Sequence, residues 1–221
     1  DFADFIQTQI VEDIRHTMMP TWQKRHLMHQ SMSETRNPKV PSTIIELLSH
    51  HNYYDMTFGL DPKFKFIASR AIYKGMLRFI HQTTGTPYVV QPLPVQQMNI
   101  QYANNDSLHI RWAERIDRLE PTATPTYYII YTRTSQLKDG QWQTSDWDNG
   151  IRVNNPQATL PIQRGVKYDF MVRAGNDGGV SLPSEVLSAY IDPAYDNNLA
   201  LIINGFHRVD APEMFGIDSV T

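Results

Sequence analysis

The chain has 221 residues, 41% of them hydrophobic, and a formal net charge of −3 with both signs mixed. That length suits one or two domains, and the near-balanced charge leaves no electrostatic footprint for nucleic acid. No apolar run approaches the roughly 20 residues that span a bilayer, so no membrane span is expected.

With no cysteine there is neither a disulfide framework nor a thiolate metal site. The chain begins with Asp1 and carries no secretory leader pattern, which reads as a processed or excised piece.

Residues 1–16 predict a helix, because Phe2, Phe5, Ile6, Ile10 and Ile14 recur at spacings of three and four. Residues 21–38 are polar around Trp22 and read as loop, with a short strand near Leu27 to Met32. Val40 to Leu48, VPSTIIELL, is rich in β-branched residues and predicts a strand opened by a proline.

A second helix spans 62–83. Asp61 suits its N-cap and Pro62 its first position, and Phe64, Ile67, Ala68, Ala71, Ile72, Gly75, Phe79 and Ile80 form its apolar stripe. One strand between two helices cannot satisfy its own backbone. Residues 1–85 therefore read as the end of an α/β domain.

Residues 86–94 carry Pro87, Pro92 and Pro94 and read as a stiff linker. From Val95 the period changes to two. Strands are expected at 97–102, 107–113, 126–134, 157–162, 167–174 and 184–191, with turns at Asn104-Asn105-Asp106 and Asp139-Gly140. Such a series implies an all-β sandwich. Residues 193–221 read as a further linker and the start of another domain, with a strand at 199–203. An alternative is that this strand and 40–48 pair with each other or with another chain.

Trp112 falls on the second of these strands, and Tyr128 and Ile130 face opposite to Tyr127, Ile129 and Tyr131 on the third. Leu160, Gly165, Tyr168, the VRAGNDGG segment and Ser181 to Ser184 follow in order. Over residues 95–192 this series resembles a fibronectin type III domain. The resemblance implies a tyrosine corner at Tyr168, whose hydroxyl ties back to nearby backbone. A long insertion, DGQWQTSDWDNG, departs from the family. Its Trp142 and Trp147 either stack on a ligand or cover the sandwich edge.

Glu46 interrupts the apolar strand IIELL. A charge in a buried strand is costly unless it is paired or faces a site, and strand carboxyl ends in α/β sheets border ligand crevices. The structural alternative is a Glu46 paired with Arg36 or Lys39.

The stretch RNPKVPSTIIELLSHHNYYDM, then LDP and RAIYKGMLRFI, resembles the C-terminal part of zinc-dependent N-acetylmuramoyl-L-alanine amidases. Arg36, Val40, Pro41, Glu46, Asn52, Asp55, Leu60, Asp61, Ala71 and Gly75 carry it. The resemblance implies that Glu46 is the catalytic general acid/base beside a metal-bound water. Arg36 and Asn52 would then contact substrate. The family's zinc ligands lie before the matched region, so zinc belongs to the parent enzyme and no metal ligand is expected in this chain.

Local histidines are poor substitutes. His50 and His51 are adjacent, and on an extended segment they point to opposite sides. His26 and His29 would chelate only from a helix, and their segment has no helical period.

The function expected from these resemblances is a fragment of a secreted bacterial cell-wall hydrolase. It would cleave the amide between N-acetylmuramic acid and L-alanine in peptidoglycan, with the β-sandwich as spacer or binding module. The alternatives are a non-catalytic glycan- or protein-binding surface module and a xanthan lyase-like polysaccharide-processing protein. Expected partners are peptidoglycan or another glycan and neighbouring domains of the same parent, at the cell envelope.

Overall fold

The computed structural model describes residues 1–104 and 106–194. They divide into two units, with the boundary between Tyr88 and Val89. Each is described by itself. The expected strand at 199–203 lies outside the described residues.

The first unit is helical. Helix α1 covers Phe2–Thr17, α2 Ser33–Arg36, α3 Tyr53–Leu60 and α4 Pro62–Thr84. The Asp1 carboxylate caps α1 by accepting from the Ala3 N–H. The Asp61 carboxylate caps α4 by accepting from the Lys63 N–H, with Pro62 in the first turn. Gly85 ends α4 in the left-handed conformation, φ 74°.

Between α1 and α4 lies the unit's core of Ile6, Ile10, Ile14, Phe64, Ile67, Ala68 and Ala71. Gly75 sets how close the two helices come. A Cβ there would lie 2.7 Å from the Cα of Ile6, inside contact distance.

Three expectations for this unit are corrected. No described residue of 1–88 lies in a strand, so the α/β fold expected for 1–85 is not what these residues form. Val40 to Leu48 is without regular structure, and among the described residues no strand lies beside it to supply a ladder. The strand expected near Leu27 to Met32 is likewise absent. The loop after Glu46 instead gives way to α3, which Asn52 caps by accepting from the Tyr54 and Asp55 N–H groups.

The second unit is a β-sandwich. Its strands are β1 Gln96–Asn104, β2 Ser107–Ala113, β3 Tyr127–Lys138, β4 Gln141–Thr144, β5 Ile151–Val153, β6 Gln157–Pro161, β7 Val166–Asn176, β8 Gly179–Val180 and β9 Leu187–Tyr190. One sheet has the order β1-β2-β6, and the other runs β4-β3-β7-β8, with β5 also on β3 and β9 also on β7. Every pairing is antiparallel.

The inner faces enclose Leu108, Ile110, Trp112, Tyr128, Ile130, Leu160, Phe170, Val172 and Ala174. Of the two faces that the period of two separates on β3, the one with Tyr128 and Ile130 is the inner one. The tyrosine corner is present: the Gln163 N–H donates to the Tyr168 hydroxyl at 3.0 Å.

Residues 89–94, within the stretch 86–94 expected as a stiff linker, pack into the sandwich unit. Val90 is fully buried and Leu93 nearly so. The Val90 N–H donates to Thr122 Oγ1, and the Val90 carbonyl accepts from Asn176 Nδ2. Buried Asn176 also donates to the Thr122 carbonyl at 3.0 Å and accepts from the Gly178 N–H at 2.8 Å. A polar group placed there ties three segments of the sandwich together.

Candidate functional site

The residues around Glu46 do not converge. Glu46 is exposed on its extended segment, not buried in a strand, and it forms no ion pair with Arg36 or Lys39 among the described residues. Arg36 lies at the end of α2 and donates to Ser31 Oγ at 3.5 Å. Asn52 is used as a helix cap. Asp55 accepts from the Ser49 N–H at 2.9 Å, which fixes the turn between Glu46 and α3.

His50 and His51 depart from expectation. Residues 50 and 51 form a turn, and their rings lie 3.9 Å apart instead of on opposite sides. Among the described residues no three His, Asp or Glu side chains come together as a metal site.

The outward face of the larger sheet is more organised. Alternation on β3 turns Tyr127, Ile129, Tyr131 and Arg133 away from the core, and the register sets them opposite Gly175, Arg173, Met171 and Asp169 of β7. Three guanidinium–ring pairs decorate it. Arg152 lies 3.7 Å over the Tyr127 ring, Arg133 4.8 Å over Trp147 and Arg173 5.8 Å from the Tyr131 centroid.

Gly175 makes the first pair possible, since a Cβ there would run into the Tyr127 ring. Gly150, at φ 76°, likewise sits over Ile129 and Tyr131 where a Cβ has no room.

Beneath Arg133 lies Asp169, 2% exposed. It accepts from Arg133 Nε at 2.8 Å and from Ser188 Oγ at 2.6 Å, and pairs with Lys167 at 3.1 Å. Burial pushes its carboxyl up, but the bonds from Ser188, Arg133 and Lys167 outweigh it and hold the group below the usual carboxylate range.

The insertion between β3 and the later strands belongs to this face. Asp139 and Gly140, at φ 51° and 76°, form the two-residue turn that joins β3 to β4. Positive φ at both positions is what a type I′ hairpin requires. Asp148 then accepts from the Thr132 and Gly150 N–H groups, at 2.9 and 3.0 Å, which pins the rest of the insertion to β3.

Trp147 is half-buried under Arg133. Trp142 on β4 is 51% exposed and meets Tyr190 edge-on at 5.8 Å. The two tryptophans therefore differ: Trp147 covers the sheet, whereas Trp142 remains open. Separately, a pocket of about 320 Å³ is lined by Glu114 to Arg118, Pro121 and Ala123 to Pro125, with no signal in the sequence pattern.

No family model matches the chain, and no curated protein matches it. Solved structures similar to it include the twitchin kinase region from C. elegans, at 21% identity and a TM-score of 0.36 over 46% of this chain and 17% of that one. Titin kinase with its flanking domains is 20% identical, with a TM-score of 0.35 over 47% of this chain and 18% of that one. The third fibronectin III domain of a human protein is 12% identical, with a TM-score of 0.38 over 52% and 94%.

The chain thus spans about a fifth of the two kinase-region structures. These scores are low. A two-sheet antiparallel sandwich with Trp112 in its core and a corner at Tyr168 is the fold that the resemblance of residues 95–192 implied.

Proposed function

We propose that this chain is a binding and spacing module of a larger protein, with the β-sandwich as its working part. One observation supports this reading above the others: a sheet face built on paired strands carries ordered arginine–ring pairs. Side chains on strands hold position better than side chains on loops, and exposed ring and arginine clusters are what recognition surfaces use.

The test is cosedimentation of the full chain with insoluble peptidoglycan and with neutral and acidic insoluble polysaccharides. Retention by at least one is expected. A chain that stays in the supernatant with all of them would leave only the spacer role.

A finer reading rests on the resemblance of residues 1–85 to zinc-dependent amidases. It makes the parent a secreted cell-envelope hydrolase of the bond between N-acetylmuramic acid and L-alanine, with Glu46 as general acid/base and Arg36 and Asn52 near substrate. The described side chains do not offer the three ligands that catalytic zinc takes, so no step through zinc is assigned to this chain. The parent protein is expected to release peptide from muropeptides and to lose that activity in Glu46→Gln. Full activity in that variant would remove Glu46 from the reaction.

A further inference from the structure

We infer that the outward face of the β3–β7 sheet binds an acidic polysaccharide, with Arg152, Arg173 and Arg133 meeting its carboxylates and Trp142 lying against its sugar rings. This rests on the reading of the sandwich as a binding module and names its ligand.

Charge is the first argument. The chain carries a net −3, yet this face gathers Arg133, Arg152, Arg173 and Lys167. The carboxylate beneath them, Asp169, is buried and already held by Arg133, Lys167 and Ser188. It therefore does not offset the whole patch.

Donor geometry is the second. Neither the Arg152 nor the Arg173 side chain hydrogen-bonds any described residue; Arg152 is exposed and Arg173 half-buried. A guanidinium lying against a ring keeps its N–H edge available, and that fork matches a carboxylate in bidentate fashion. Arg152 and Arg173 both sit opposite Ile129, from its two neighbouring strands, so they are about 10 Å apart at the backbone. Arg133 lies four residues along β3 from Ile129, about 13 Å away.

These widely spaced cations suit a polymer with a carboxylate on some of its sugars. They are too sparse for a nucleic acid, whose duplex carries a charge every ~1.7 Å. The surface is a sheet face and not a cavity, which fits an extended chain better than a small molecule. Trp142, 51% exposed and in T-shaped contact with Tyr190, supplies an aromatic ring for sugar C–H groups.

The experiment titrates the full chain with polygalacturonate, following tryptophan fluorescence, at low and at physiological salt. Dextran, polyglutamate and a single-stranded oligonucleotide are run in parallel. Saturable binding of polygalacturonate is expected, weaker at higher salt, with no response to dextran. R152Q/R173Q should weaken it at least tenfold while the thermal midpoint holds.

If that double variant unfolds, Arg152→Lys, which keeps the charge and loses the fork, must still weaken binding. Absence of polygalacturonate binding, unchanged affinity in the variants, or tighter binding of polyglutamate or the oligonucleotide overturns the inference. Retention on peptidoglycan or a neutral polysaccharide without polygalacturonate binding would leave the module reading standing and sink this one alone.

Discussion

Each unit buries a carboxylate beside a lysine, and the two are handled differently. In the helical unit Asp13 of α1 meets Lys74 of α4 at 2.7 Å, with the lysine side chain 1% exposed and the aspartate 7%. Gln9 Nε2 donates to the same carboxylate at 2.9 Å. This is an ion pair inside a helix–helix core. In the sandwich, Asp169 sinks to the same depth, but its partners Arg133 and Lys167 are 37% and 39% exposed. There the apolar core lies on the other side of the sheet, and the charges sit at its outer skin.

The comparison teaches where an ion pair specifies a fold and where it decorates one. Both partners between the helices lose water, so removing one leaves a buried charge alone. On the sheet, the surviving cations can return to solvent.

The largest expected effect follows from this. Lys74→Ala should destabilise the helical unit by about 3–5 kcal/mol, whereas the double replacement D13L/K74M should recover most of the loss. Hydrogen exchange resolved by residue reads the two units separately. A single variant that costs no more than a surface change would break the contrast.

Gly75→Ala comes next. The added methyl has to push α1 off α4 at Ile6, at a cost of about 1–3 kcal/mol, even though alanine is the better helix former. Of similar size is Asp169→Ala, where loss of charged hydrogen bonds should cost the sandwich about 1.5–3 kcal/mol. A cost equal to that of Lys74→Ala would show that exposure of the partners does not matter.

Acid sharpens the same point. The folded Asp169 carboxyl lies below its ordinary value, so its contribution is present above the unfolded value near pH 4 and is lost as pH falls through the folded one. Urea midpoints of the sandwich should drop below about pH 4, less steeply in Asp169→Asn. The smallest effect belongs to Tyr168→Phe, which removes one bond to the Gln163 N–H and should cost about 0.5–1.5 kcal/mol by urea unfolding.

Much of the sandwich was legible because alternation is a direct record of which side faces the core. Phe170 and Val172 lie inside together, as their spacing of two implies, and so do Tyr128 and Ile130, although alternation alone did not say which side of β3 was inner. Helix α4 was legible from Asp61-Pro62 and its stripe, but the stripe misled at Lys74. Its spacing from Ile67 and Ala71 places it on the buried face, and its charge hid that. Ile80, counted in the stripe, is 42% exposed.

Strands β4 and β5 were missed because they are short, exposed hairpin and edge pieces without an apolar period. The guanidinium–ring pairs were also illegible. They depend on register between strands far apart in sequence, and only the β3 alternation hinted at them. Val40 to Leu48 failed in the opposite sense: its composition suits a strand, but composition does not provide a neighbour.

That irregular segment bears on how the protein is handled. Thr43 to Leu48 presents Ile44 and Ile45, 42% and 37% exposed, on an extended backbone that pairs with no strand among the described residues. Short, β-prone, weakly charged stretches of this kind are where chains stack on one another. Glu46 sits in the middle, and stacked copies would bring carboxylate against carboxylate, as gatekeeper charges do beside sticky strands. Replacing it with glutamine lifts that repulsion. Assays of Glu46→Gln therefore need a solubility control, because clumped protein is silent for colloidal reasons as surely as for chemical ones.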